Sequence, residues 1–226
     1  MSTEARAESF AAADWNGGVL PYHVGHRKLG MWLFIVSDSL TFSALLIGYA
    51  YLRASNVWPT PFPFYPSIVF SSVMTFCLLS SSLTMVFGVS ASSKGDKAGA
   101  RKWILATIFF GLMFVVLHMI EWNHLLSEGL RPFFLPEHWV KAFTTTNGTP
   151  PSPLFGATFF TITGLHMFHV ISGAVYLMVV ALRVNKLKHE DIEISGLYWH
   201  FVDLVWMFVF PLIYILSVDV GGHLSK

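Results

Sequence analysis

The chain has 226 residues, 54% of them hydrophobic, 16% aromatic and only 12% charged, with a mean hydropathy of +0.58 and a formal net charge of +1. A water-soluble domain carries about 25% charged residues, so this composition excludes an ordinary soluble enzyme and predicts an integral membrane protein. It holds no basic stripe of the kind that grips nucleic acid, and its single cysteine, Cys77, rules out a disulfide framework, a CxxCH haem attachment or a thiolate pair for a metal.

Residues 1–28 mix Glu4, Arg6, Glu8, Asp14, Arg27 and Lys28 without an apolar core, which fits neither a secretory signal nor an Arg-rich transit peptide. Five apolar spans follow, over 29–52, 67–91, 103–126, 154–182 and 197–218. Each reaches the ~20 residues that cross a bilayer core as a helix, and closed backbone hydrogen bonding makes helices the only workable form for such runs. The expected fold is an all-α integral membrane protein: a bundle of five transmembrane helices over 29–218, preceded by a cytoplasmic segment 1–28 and followed by an external tail 219–226.

The connections alternate in charge. Ten basic residues lie in the N-terminal segment and in the loops after the second and fourth spans, against four (Arg53, Arg131, Lys141, Lys226) on the other side. By the positive-inside rule the N-terminus is inside and the C-terminus outside. The proline-punctuated stretch Trp58-Pro59-Thr60-Pro61-Phe62-Pro63 reads as an extended link, and 127–153 as the largest external loop.

Asp38, His118, Glu121, His166, His169, His200 and Asp203 all fall well inside the spans. A carboxylate at the bilayer centre costs roughly 2.5–3.5 kcal/mol even on the gentlest scale, so these groups are expected to face the bundle and pair. Three helices repeat one pattern, a histidine with a polar partner three residues on: His118 with Glu121, His166 with His169 and His200 with Asp203. Histidines and carboxylates from several helices are how bundle metal sites are built. Depth argues against one here: at about 1.5 Å per residue, Glu121 lies about 8 Å from the outer end of its span and His200 about 5 Å from the inner end of the last, roughly 17 Å apart across the core. Two stacked polar layers are expected instead, Asp38 and Asp203 with His169, and His118 and Glu121 with His166. Ser71, Ser72, Ser80, Ser81, Ser82 and Thr84 read as close-packing positions on the second span, and Trp32, Trp103, Trp122 and Trp199 as interfacial residues near span ends.

The motifs resemble subunit III of the haem-copper oxidases. Tyr198-Trp199-His200-Phe201-Val202-Asp203 followed by Val205-Trp206 is similar to the signature of that family's last helix, with Glu193 where the family has a glutamate just before it. Thr163-Gly164-Leu165-His166-Met167-Phe168-His169-Val170 with Gly173 resembles the penultimate helix, Glu121-Trp122 the acidic-aromatic pair before that, and Ser80-Ser81-Ser82-Leu83-Thr84 the serine-rich helix. The chain departs from the family at Asp38, where relatives carry a carbodiimide-reactive glutamate in close lipid contact, and at His118, where many have glutamine. Longer members have seven helices, and this chain starts at the equivalent of the third.

The resemblance implies a non-catalytic subunit of a proton-pumping terminal oxidase that reduces oxygen to water, with cytochrome c as donor or, alternatively, a quinol. It implies no haem or copper in this chain, haems and copper in partner subunits, packing against subunit I in company with subunit II, bound phospholipid, possible docking in a respiratory supercomplex, and a place in the bacterial cytoplasmic (inner) membrane. The implied role is protecting the active site and sustaining proton uptake, with Asp38, His118, Glu121, His166, His169, Glu193, His200 and Asp203 forming a structural polar set related to lipid or protons. Two rivals are an independent metalloenzyme or cytochrome using His166, His169 and His200, and a proton or ion carrier using Asp38, Glu121 and Asp203.

Overall fold

A computed structural model describes residues 26–218; the expected N-terminal segment falls almost entirely, and the tail 219–226 entirely, outside the described residues. Within them the chain is helical, with two isolated bridges and no strand. Five helices are long and apolar enough to cross a membrane. They are α1 (His26–Ser55), α2 (Val69–Ser93), α3 (Lys97–Ser127), α5 (Leu154–Arg183) and α6 (His189–Val209), with a shorter α4 (Glu137–Asn147) between α3 and α5.

Local chemistry sets the joints. Between α2 and α3 the chain turns through Gly95, whose φ of 78° is left-handed and suits a residue without a Cβ, and the Asp96 carboxylate then caps α3 by accepting from the Gly99 N–H at 2.8 Å. α6 begins at His189, well before the expected Leu197, because Asp191 reaches back to accept the Lys188 N–H and caps a polar first turn that carries no hydropathy signal. Pro211, which lacks an N–H, falls where α6 widens into a π-helical turn, Phe210–Tyr214, and then a 3₁₀ turn, Ile215–Ser217.

α2 and α3 form the tightest pair, α5 packs on α3, and α6 lies against α2 and α5. Glycines permit the closest approach: the Trp199 indole on α6 sits between Gly111 and Gly173, where an added Cβ would come within 2.6 Å and 3.2 Å of its ring. Trp199 is therefore fully buried, correcting its expected interfacial position. Its indole N–H donates to Ser81 Oγ at 2.9 Å, and that of Trp206 to Thr75 Oγ1 at 3.0 Å. The hydroxyls of α2 therefore act as indole acceptors as well as small contact residues.

α1 stands apart, packing on α6 and more lightly on α5. Its buried large side chains, Ile35, Phe42 and Tyr49, recur every seven residues as a single seam. Most of its other apolar side chains, including Leu33, Leu40 and Ile47, point outward, as do large apolar residues on every other span. The link before α2 is no free extended strap: Phe62 is buried, its N–H donates to Ser217 O at 3.3 Å, and its ring stacks on Tyr214 at 5.1 Å.

Candidate functional site

The polar groups inside the bundle form three clusters. In the first, Asp38 of α1 meets His169 of α5, with Oδ2 and Nε2 3.2 Å apart. The other ring nitrogen, Nδ1, lies 2.8 Å from Leu165 O. A carbonyl only accepts, so that contact places a proton on Nδ1, and attraction between Nε2 and Oδ2 then requires a further proton on one of those two atoms. The approach does not form a hydrogen bond. Phe42 closes one side of the imidazole edge-on at 5.4 Å, and Tyr198 OH donates to His169 O at 3.1 Å. The pair ties α1 to α5 at mid-helix.

In the second cluster Glu121 of α3 is buried with both oxygens occupied: Ser71 Oγ donates to Oε1 at 3.0 Å and Tyr214 OH to Oε2 at 2.6 Å. His118, one turn earlier, brings Nδ1 within 3.5 Å of Oε2 without forming a hydrogen bond. His118 and His166 are fully buried, and no ring nitrogen of either makes a hydrogen bond. They sit instead in an aromatic stack: His166 lies nearly parallel to Trp206 at 5.0 Å, His118 nearly parallel to Phe114 at 5.6 Å, and Phe114 stands edge-on to Trp206 at 4.8 Å. Tyr214 is the member that the sequence did not single out. It lies past Pro211 in the π-helical turn, and its one readable signal was an aromatic hydroxyl near the end of the last span.

His200 and Asp203 make the third cluster. Ser82 Oγ is 2.6 Å from His200 Nδ1 and also faces the Asp203 carboxylate, which is buried. Asp203 was expected to join Asp38 and His169; its contact is with α2 instead. Counted from the start of α6, whose first turns are polar, His200 lies about 16 Å along the helix. The last predicted residue, Glu193, lies outside all three clusters, in α6 near its start, where Lys28 Nζ donates to Oε1 at 2.7 Å. Beside it Arg27 pairs with Asp191 at 2.7 Å. At the opposite end of α1, Arg53 donates to Tyr49 OH, Ser217 Oγ and Leu216 O.

Among the described residues no group of three or more His, Cys, Asp or Glu side chains is placed to hold a metal ion. Each buried polar residue is answered by a neighbouring helix or by aromatic packing, and the outer surface is apolar. These features define a multi-pass membrane helix bundle organised around internal polar contacts. The sequence profile described as "Cytochrome c oxidase subunit III" matches residues 130–218. The chain is 31% identical to cytochrome c oxidase subunit 3 of Corynebacterium diphtheriae, covering 84% of this chain and 88% of that one. It is 32% identical to cytochrome c oxidase subunit 3 of Synechocystis (86% and 78%), and 30% identical to cytochrome bo(3) ubiquinol oxidase subunit 3 of Pseudomonas putida (84% and 86%). The chain belongs to the subunit III family of the haem-copper oxidases, whose members are accessory, non-catalytic subunits of multi-subunit oxidase complexes.

Proposed function

We infer that the chain is subunit III of a proton-pumping terminal oxidase of the bacterial inner membrane, with cytochrome c as the electron donor. It packs directly against subunit I alongside subunit II, holds phospholipid on its apolar surface, and supports proton uptake while protecting the catalytic subunit during turnover. The observation that carries this reading is the 31% identity to a cytochrome c oxidase subunit 3 over 84% of this chain. The buried polar clusters that join its helices suit a chain contributing shape and surface to an assembly. The Asp38–His169 pair is the group we place nearest to proton handling.

A quinol-oxidising complex is the alternative, favoured by the similarity to a ubiquinol oxidase subunit. Purifying the tagged chain from its native membrane tests both readings. Haem-bearing and copper-bearing partners should co-purify, and turnover should be supported by reduced cytochrome c. Turnover with quinol alone would shift the assignment to the alternative, and recovery of the chain without any haem-bearing partner would overturn it. The same preparation tests the rivals, since haem or iron bound to the isolated chain would revive the metalloenzyme and proton flux through vesicles holding only this chain would revive the carrier.

A further inference from the structure

Three tyrosines are buried among the described residues, and they differ in where the phenol proton points. Tyr49 OH meets Ser217 Oγ and Arg53, and Tyr198 OH meets His169 O and Ser172 Oγ, none of which takes up a proton. Tyr214 OH points at a base. It donates to Glu121 Oε2 at 2.6 Å, as short as a charge-assisted bond to a carboxylate. Both residues are buried, Ser71 Oγ holds the other carboxylate oxygen at 3.0 Å, and His118 Nδ1 stands 3.5 Å behind Oε2.

The Tyr214 ring is also a junction of aromatic contacts. On one side Trp206 lies 5.9 Å away; on the other Phe62 stacks at 5.1 Å, Phe155 is 6.1 Å beyond Phe62, and Trp58 is 5.9 Å beyond Phe155. Trp206 and Tyr214 are fully buried, whereas Trp58 is half-buried and reaches the surface. Among aromatic side chains, indole and phenol give up one electron most readily, and a phenol does so far more readily when a base takes its proton in the same step. Without that base the oxidised ring would be a cation buried in apolar surroundings, which is costly. Glu121 removes the cost, because electron loss with proton transfer to a carboxylate leaves two neutral groups where one negative charge stood. Trp206 lacks such a base: its indole N–H donates to Thr75 Oγ1, a hydroxyl that does not take up the proton. An oxidising equivalent on Trp206 or Trp58 therefore settles on Tyr214.

We propose that Tyr214 and Glu121 are a redox-active pair, in which Tyr214 is oxidised by one electron as its proton passes to Glu121. The electron leaves through Phe62, Phe155 and Trp58 to a one-electron oxidant at the surface, which is reduced. The phenol O–H bond breaks, a new O–H bond forms at Glu121 Oε2, and a neutral phenoxyl radical remains beside a carboxylic acid. A one-electron reductant returns the electron by the same rings, and the proton goes back to the phenol oxygen. The use of the pair rests on the reading of the chain as part of an oxygen-reducing complex, where the oxidants to be quenched are partly reduced oxygen species; its redox chemistry does not rest on that reading.

The test is a flash-quench experiment on the purified complex, with photogenerated tris(bipyridine)ruthenium(III) as the oxidant and electron paramagnetic resonance as the readout. The spectrum should contain a tyrosyl component that Tyr214→Phe removes. Glu121→Gln keeps an acceptor for the hydroxyl and removes the base, so it should remove the same component, whereas a tyrosine serving only in packing would be indifferent to the change. Trp58→Phe, which gives up an indole N–H that makes no hydrogen bond, should diminish the component and leave the assembly intact. Spectra that are the same in the parent, Tyr214→Phe and Glu121→Gln would overturn the proposal, as would a parent spectrum without a tyrosyl component. If the first two variants do not assemble, Trp58→Phe decides alone, and an undiminished component overturns the proposal. Light supplies the oxidant, so the outcome is independent of turnover: a chain recovered without haem-bearing partners removes the functional reading and leaves the radical as measured.

Discussion

A single Cβ is the smallest change with a large expected effect. The Trp199 indole lies between Gly111 and Gly173, with no room for a methyl group at either. Adding one forces the ring or the helices apart, and overpacking of this kind costs about 1–3 kcal/mol. Gly111→Ala should therefore lower the thermal midpoint of the assembled complex, while Ala substitution at Gly48, which faces open space, should leave it unchanged. A thermal shift series on the two variants measures the difference. At Thr75 the loss is of another kind, because Thr75→Val keeps the shape and strips the Trp206 indole of its acceptor; a stranded buried donor costs about 1–3 kcal/mol. Tryptophan emission and melting curves report it. For Asp38 the approach to His169 ties α1 to α5, so Asp38→Leu should lower the thermal midpoint of the assembled complex, which the same thermal shift series measures. These residues were unequally legible. Apolar surroundings marked every buried ionisable group, but Tyr214 and Thr75 became visible only with the helix register, since a hydroxyl in a greasy span has no pattern that distinguishes partner from filler.

Among the elements, α1 is held differently from the rest. Its apolar seam is narrow, and polar ties support it at three levels: Arg27 and Lys28 to α6 near one end, Asp38 to α5 in the middle, and Arg53 to the last turn at the other. The ties are unequal. The Arg27 side chain is 78% exposed, and exposed ion pairs contribute about 0–1 kcal/mol, whereas Arg53 satisfies three acceptors at once. Hydrogen exchange along α1 should rise only slightly in Arg27→Ala and markedly, at the Arg53 end, in Arg53→Ala. Raising the salt concentration should mimic the first variant and not the second. The spans themselves were readable from twenty-residue hydropathy. Two elements were not. α4 is amphipathic and short, so it lies below any membrane threshold, and the first turns of α6 are polar because they face Arg27 and Lys28.

For the whole molecule, the alternation of basic loops predicts an inside N-terminus and an outside C-terminus. Membrane-impermeant labelling of single cysteines introduced at Ser2 and Ser225, in a Cys77→Ser background, should modify the second from the outer side and leave the first untouched in sealed cells. The general character of the chain was legible early because composition alone separates membrane from soluble proteins, and the ordered motifs narrowed it to one family. Which polar residues meet could not be read, since seven-residue and three-residue spacings fix a face and leave the partner helix open. That is why Asp203 was expected beside Asp38 and lies against Ser82.

The stacking of Phe62 on Tyr214, with its N–H on Ser217, joins the link between α1 and α2 to the turns that follow α6. α1 likewise finds its main partner in α6, at the far end of the sequence. During synthesis α1 enters the bilayer with its seam and its ion-pairing residues unmatched, and both remain so until α6 has been made. Folding of this bundle is thus closed by α6 as a clasp closes a ring. A chain truncated before Tyr214 would insert its early spans and still leave α1 free to wander, open to membrane proteases and to pairing with the wrong neighbour.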